Sequence, residues 1–408
     1  MNARTIGLIF FFYPILFLQS LSAQDPVRES LFTDVYTINP GKEGKLDLCI
    51  DNISFLNNTE TGGDIQKGYT LPGIRINPRL IYYPASMIKL EAGISLLKYW
   101  GADKYPNYAY RNIPEWKAPG YQLGFHLLPF FRAQIQPVPQ LNIVLGHIYG
   151  GSNHGLIEPL YNPELNLSAD PEMGAQIIYN SKIAHFDAWI NWETFTFKNE
   201  ANNEVVTTGA SACFHITNPQ SFFYIGVPIQ AVVTHHGGEI DTVNDEVTSM
   251  ANGATGLQFG FNFDNPVFKH LRLSLMGAAY KNLHSKEPLL FDQGWAAYSN
   301  LDIRIWNLDL KMNIWRSGNF INLFGNPIFG NVSTSKENWN FPRIMVWNPG
   351  LSYEQKFGAG LHFGANFELF STPEFAEYEG VAPIKTGKYF GCSTGLFLRI
   401  NPSIVLKK

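Results

Sequence analysis

Strict alternation of apolar and polar residues constrains this chain more than any other feature. Leu361, Phe363, Ala365, Phe367 and Leu369 are interleaved with His362, Gly364, Asn366 and Glu368. Leu257 to Asp264, Leu308 to Ile314 and Ile74 to Leu80 follow the same rule. A charge at every second place beside Leu, Ile or Phe cannot face a helix core. It fits a strand with one apolar face and one wet face. The test gives sixteen strands, at 46–57, 70–83, 86–100, 121–135, 140–147, 173–180, 183–197, 205–217, 221–234, 252–264, 267–282, 294–306, 307–317, 342–356, 359–370 and 388–401. Asn348-Pro349-Gly350 interrupts the fourteenth and reads as a bulge.

The gaps carry an independent signal. Those after even-numbered strands are short, such as Pro84-Ala85, Ser181-Lys182 and Phe357-Gly358. Those after odd-numbered strands are long: 58–69, 101–120, 148–172, 198–204, 235–251, 283–293, 318–341 and 371–387. Outer-membrane barrels sort their connections this way, with tight periplasmic turns and long outer loops. Aromatics gather near strand ends, among them Tyr82, Trp100, Phe131 and Phe390, as at two lipid–water boundaries.

Composition narrows the alternatives. With 45% hydrophobic and 16% charged residues the chain is not disordered. A net charge of -4 argues against a nucleic-acid partner. The three cysteines, Cys49, Cys213 and Cys392, lie too far apart for a disulfide framework. Residues 1–23 read as an export signal, with Arg4 ahead of the apolar run Leu8 to Leu18 and cleavage near Ala23. Beyond it no apolar run of 18 or more occurs, which excludes a helical membrane protein and leaves the closed barrel. Residues 24–45 are expected to be a periplasmic lead-in or small plug, and 46–408 the barrel.

On these grounds residues 46–401 resemble bacterial outer-membrane porins, all-β transmembrane antiparallel up-and-down barrels of about sixteen strands. The chain departs from that pattern at its end, Lys407-Lys408, where many such barrels carry an aromatic. The location expected is the bacterial outer membrane.

Charges within strands must face inward, because Arg or Lys on the lipid face near mid-bilayer costs about 2–4 kcal/mol. Lumen candidates are Arg75, Arg79, Lys89, Lys98, Arg132, Arg272, Arg304, Lys311 and Arg399, with Glu91, Asp187, Glu193, Asp302, Asp309, Glu354 and Glu368. They are either wetted by a channel or paired across the lumen. Sixteen strands enclose more space than side chains fill, so a water-filled lumen is expected. Arg75, Arg79, Lys89, Lys98 and Arg132 against Glu91 make one sector basic. The loop 148–172 holds Glu158, Glu164, Asp170 and Glu172, with His154 and no Lys or Arg. In porins the third outer loop typically folds into the lumen. The resemblance therefore implies an acidic constriction facing the basic wall and a transverse field across it.

Other constellations are weaker. His235-His236 with Glu239 and Asp241, or His154 with Glu158 and Glu164, have metal-ligand chemistry but no helix to align them. No GxSxG elbow marks a serine hydrolase, and Gly41 to Lys45 lacks P-loop spacing. The function expected is a channel for small polar solutes. The alternative is a non-conducting barrel subunit or scaffold, and an outer-membrane barrel hydrolase ranks last. The chain is thus expected not to be an enzyme and to need no cofactor or metal. Its expected partners are outer-membrane lipid, a small polar solute, and copies of itself or other outer-membrane proteins.

Overall fold

The computed structural model describes residues 31–62, 64–100, 125–194, 204–237, 247–285, 288–336, 338–358 and 360–407. The export signal, the start of the lead-in, and Glu239 and Asp241 lie outside them. The strands are β1 Leu46–Thr61, β2 Tyr69–Ala85, β3 Ile88–Tyr99, β4 Phe125–Val138, β5 Leu141–His147, β6 Met173–Asn180, β7 Ala184–Thr194, β8 Val205–His215, β9 Phe223–His236, β10 Thr248–Asn262, β11 Phe268–His284, β12 Gln293–Ile305, β13 Leu308–Gly318, β14 Trp339–Asn340, β15 Arg343–Phe357, β16 Leu361–Glu379, β17 Ala382–Ile400 and β18 Ser403–Lys407. All belong to one antiparallel sheet of 18 strands. β14 and β18 are short appendages on β16 and β1, and the other sixteen form the wall. Pairing of β1 with β17, from Asn52 opposite Ile400 to Thr61 opposite Gly391, closes the ring.

Closure leaves no long strand edge unpaired, as a hydrocarbon surround demands. Leu90, Ile94, Leu127, Phe131, Leu145, Ile177, Leu257, Leu275 and Leu396 are exposed on the outward face, with Trp100, Trp192, Trp295, Trp306 and Trp347. Among the described residues no helix is long and apolar enough to cross a membrane. A closed barrel with an apolar exterior spans an outer membrane, and the long-loop end is its outer end.

Three sequence expectations change in detail. The segment 371–387 is not a free loop, because β16 and β17 extend through it to a turn at Gly380. Asn348-Pro349-Gly350 makes no bulge: opposite β13 the register runs unbroken from Asn313–Asn348 to Lys311–Gly350. The Asn348 amide donates to the Leu369 carbonyl at 3.0 Å, bracing β15 against β16 beside the proline. Lys98 faces outward, sharing the parity of the exposed Leu90 and Ile94, whereas Lys89 and Glu91 face in. The period of two decides this, since an odd separation from Lys89 puts Lys98 on the other face.

The expected open, water-filled bore is reduced among the described residues to separate cavities, two of them about 120 and 230 Å³. One part is packed with a dry core: Phe320, Ile321, Leu323, Ile328, Phe329 and Val332 of the 318–341 segment press against Tyr280, Tyr298, Trp315, Phe341 and Phe370. Burying that much apolar surface outweighs leaving an open bore to water. The rest is crossed by the 148–172 loop and by residues 31–38. Arg399 binds the Leu31 carbonyl and Asp34, at 2.8 and 2.6 Å, and Gln134 donates to the Tyr36 carbonyl.

Candidate functional site

The inward charges are largely matched with partners. Glu91 accepts from Arg79 at 3.1 Å, Lys89 at 3.2 Å and Arg132 at 3.3 Å, all buried. Arg132 also donates to the carbonyls of His147 and Ile148, at 2.6 and 3.0 Å, and Lys89 to the Tyr149 hydroxyl at 2.6 Å. Arg399 and Arg79 share Asp51. Across the barrel Arg272 pairs with Asp302 at 2.6 Å and Arg304 with Asp309 at 3.1 Å. Lys311 sits between Glu158 and Glu368, 2.8 Å from each. Glu193 accepts from the Thr207 hydroxyl. These groups lock strands to one another. Most of these ions are held by a counter-ion, whereas Glu193 is held by a hydroxyl, and Arg75, Arg79, Arg132 and Arg399 still line one cavity.

The 148–172 loop spans the lumen; its Asp170 and Glu172 line one cavity with Arg75, Arg79 and Arg132, while its other carboxylates reach elsewhere. Glu158 reaches β13 through Lys311. Glu164 reaches Asn57 of β1 and Tyr69 of β2, and Arg75 donates to the Ala169 carbonyl. His154 is 1% exposed and meets neither Glu158 nor Glu164. Its Nδ1 lies 2.7 Å from Asp187 and its Nε2 2.9 Å from Glu172, and its ring stacks on Trp189. Burial opposes its charge, but the two carboxylates prevail and hold the imidazolium pKa up to about 9. A histidine with both nitrogens bound to carboxylates has no free lone pair for a metal or a proton transfer. No group of three or more His, Cys, Asp or Glu side chains among the described residues is placed to hold a metal ion.

The outer rim is different. On β9, Thr234 and His236 are buried inward, so His235 between them faces out. On β10, Thr248 and Met250 are buried inward, so Ser249 faces out. The ladder sets them directly opposite. His235 Nδ1 is 2.7 Å from Ser249 Oγ. Successive pairings make one row across five strands: Trp192, Val206, His235, Ser249 and His284. The Trp192 indole donates to Glu204 at 2.7 Å at the end of this row. The row lies where the strands emerge at the long-loop end. A hydroxyl hydrogen-bonded to an imidazole there can act on an ester whose carbonyl sits at the lipid–water boundary.

Sequence reading weighed His235 as a metal ligand, set it aside, and passed over Ser249. The signal was present but faint: a histidine closing one strand and a serine opening the next, both outward by parity. Their meeting depends on hairpin register, which the 238–246 connection does not reveal.

Among curated proteins none matches the chain. Its barrel is similar to solved structures of OpdL from Pseudomonas aeruginosa (12% identity, 88% of this chain and 99% of that one, TM-score 0.46) and OpdK from the same organism (10%, 88% and 99%, 0.46). The anion-selective porin from Comamonas acidovorans is comparable, at 9% identity, 87% and 100% coverage, and TM-score 0.46. What those proteins conduct does not transfer to this chain. The expected diffusion channel is overturned, and with it the expectation that the chain is no enzyme. A family model described as lipid A 3′-O-deacylase-type matches residues 38–408, and a deacylase is defined by the bond it breaks, not by a solute it passes. A family model covering that much of the sequence leaves one conclusion: the chain belongs to the lipid A 3′-O-deacylase-type family.

Proposed function

We propose that this barrel hydrolyses an acyl ester of an outer-leaflet glycolipid of the lipid A class, with Ser249 as nucleophile and His235 as its base. The observation that carries the reading is the 2.7 Å contact between His235 Nδ1 and Ser249 Oγ on the lipid-facing rim. The family's description supplies the bond, an acyl group on a sugar 3′ oxygen. The site's height supplies access, because a glycolipid presents its ester carbonyls just below its sugars.

In the reaction the Ser249 hydroxyl attacks the ester carbonyl while His235 takes its proton. Collapse of the tetrahedral adduct breaks the bond to the sugar oxygen, which receives that proton from His235. The acyl group stays on Ser249 until water, deprotonated by His235, releases it as a fatty acid. Trp192, at the end of the row, supplies a ring suited to the headgroup boundary.

The reading includes an export signal at 1–23 removed near Ala23, a periplasmic lead-in or small plug over 24–45, and a barrel over 46–408. The lumen residues Arg75, Arg79, Lys89, Glu91, Arg132, His154, Glu158, Glu164, Glu193, Arg272, Arg304 and Glu368 then serve as struts that hold the wall and the crossing loop in place.

The test is release of fatty acid from lipid A in mixed micelles, followed by mass spectrometry. Ser249→Ala and His235→Ala should each lower the rate by about 10²–10⁴-fold while heat-modifiable gel migration stays normal. Undiminished release by folded Ser249→Ala would overturn the assignment.

A further inference from the structure

The inward arginines described here each have a named acceptor: Ala169 for Arg75, Glu91 for Arg79 and Arg132, Asp302 for Arg272, Asp309 for Arg304, and Asp34 with Asp51 for Arg399. Two arginines differ. Arg316 on β13 and Arg343 on β15 are both exposed, and neither has an ion pair or hydrogen-bond partner among the described residues. Parity places them outside the barrel. Trp315 and Ser317 are buried inward around Arg316, and Arg343 shares the face of the exposed Trp347 and Leu351.

They are also neighbours. Arg316 lies opposite Met345 and Gly318 opposite Arg343, so the two arginines are diagonal partners on one face. Diagonal Cα atoms in an antiparallel pair are roughly 7–8 Å apart, which two guanidinium groups span around one anion. Trp295 of β12 completes the patch. It pairs with Gly318, and its indole nitrogen occupies the place a Gly318 side chain would need, 2.7 Å from the would-be Cβ. Glu374 is exposed on the next strand, β16, and forms no ion pair with either arginine.

Such a pair is costly to keep where it stands. A cation facing lipid is tolerated near the headgroups and is stabilised there by anionic ones. Both arginines sit within two residues of the outer strand ends. We propose that Arg316 and Arg343, with Trp295 beside them, clamp a phosphate on the headgroup of the outer-leaflet glycolipid. This rests on the reading of Ser249 and His235 as the hydrolytic pair. β10 and β13 are three strands apart, roughly 14 Å at about 4.8 Å per strand, and the ladder sets Arg343 level with Gly253, four residues along β10 from Ser249, so the two sites lie roughly 20 Å apart. The clamp therefore holds one end of a phosphorylated headgroup while an ester is presented to Ser249.

The experiment uses full-length protein in mixed micelles and two probes, lipid A with its phosphates and the same lipid after dephosphorylation. Binding is read by tryptophan fluorescence, and hydrolysis as KM and kcat. The double variant Arg316→Gln with Arg343→Gln should weaken binding and raise KM for phosphorylated lipid by roughly tenfold to a hundredfold. It should leave kcat unchanged, and binding of dephosphorylated lipid should not move. Replacement of both by Lys should restore part of the loss, since charge returns without the bidentate fork. Equal loss on both lipids, or no loss on either, overturns the clamp. Competition by millimolar inorganic phosphate as strong as that by the lipid would also overturn it, as a site for free anion. Binding is read without turnover, so failure of Ser249→Ala to abolish hydrolysis would remove the catalytic reading and leave the binding result to stand or fall alone.

Discussion

His154 and His235 show how differently the two sides of this wall use the same side chain. His154 lies in the lumen, stacked on Trp189 and gripped by Asp187 and Glu172. His235 lies on the lipid-facing rim, bound through Nδ1 to the Ser249 hydroxyl. The first has the stronger electrostatics and no chemistry left to do, because both nitrogens are committed. The second has weaker surroundings and a nucleophile in reach. The contrast extends to the arginines, saturated inside and unpartnered at the outer rim. In this barrel a high density of charge marks structure, and reactivity is found where the ladder leaves a polar pair facing lipid.

The sharpest way to break the comparison is Glu91→Gln. It leaves Arg79, Lys89 and Arg132 without their shared carboxylate and should cost about 3–5 kcal/mol of stability. Hydrolysis per folded molecule should hold, measured as activity normalised to heat-modifiable protein. A matching fall in specific activity would show that lumen and rim are one unit.

A second test is pH. The His154 pKa is raised from an ordinary 6.5 to about 9, so its bond to the wall is whole below roughly 6.5 and is lost as pH rises through about 9. The Glu172 carboxylate is buried, yet the neighbouring His154 charge holds its pKa below the usual value. Its contribution is therefore present above the ordinary carboxylate pKa and fades as pH falls through the lowered one. Hydrogen exchange of residues 150–172, corrected for intrinsic rates, should show greatest protection between those limits. A flat profile would count against the lock. The smallest effect belongs to Asn348→Ala, which removes the amide bond to the Leu369 carbonyl and should cost about 1 kcal/mol in an unfolding titration.

Much of the fold was legible because a strand's period of two needs no partner to be seen. Leu257 to Asp264 announces an outward and an inward face by itself, and the structure places its Leu257 to Asn262 part within β10. Lys98 was misplaced only where parity was not carried through the strand. The Asn348-Pro349 break was misread because a proline removes a donor without revealing that a side-chain amide braces the neighbouring strand. The lumen was the larger error. The loop lengths of 148–172 and 318–341 suggested an opening, but not that Phe320, Phe329 and Val332 would bury themselves inside it.

Sequence alone determined that the chain is a closed barrel with a wet-parity face and an apolar face, because charge beside Leu or Phe has no other place to go in lipid. It also determined which end carries the long loops. Only the tertiary structure decided what fills the bore and what meets on the rim. Ion pairs such as Arg399 with Asp51 join residues far apart in sequence, and pairs such as His235 with Ser249 depend on register. A one-residue slip in that hairpin would turn the serine to the opposite face and leave the histidine alone in lipid.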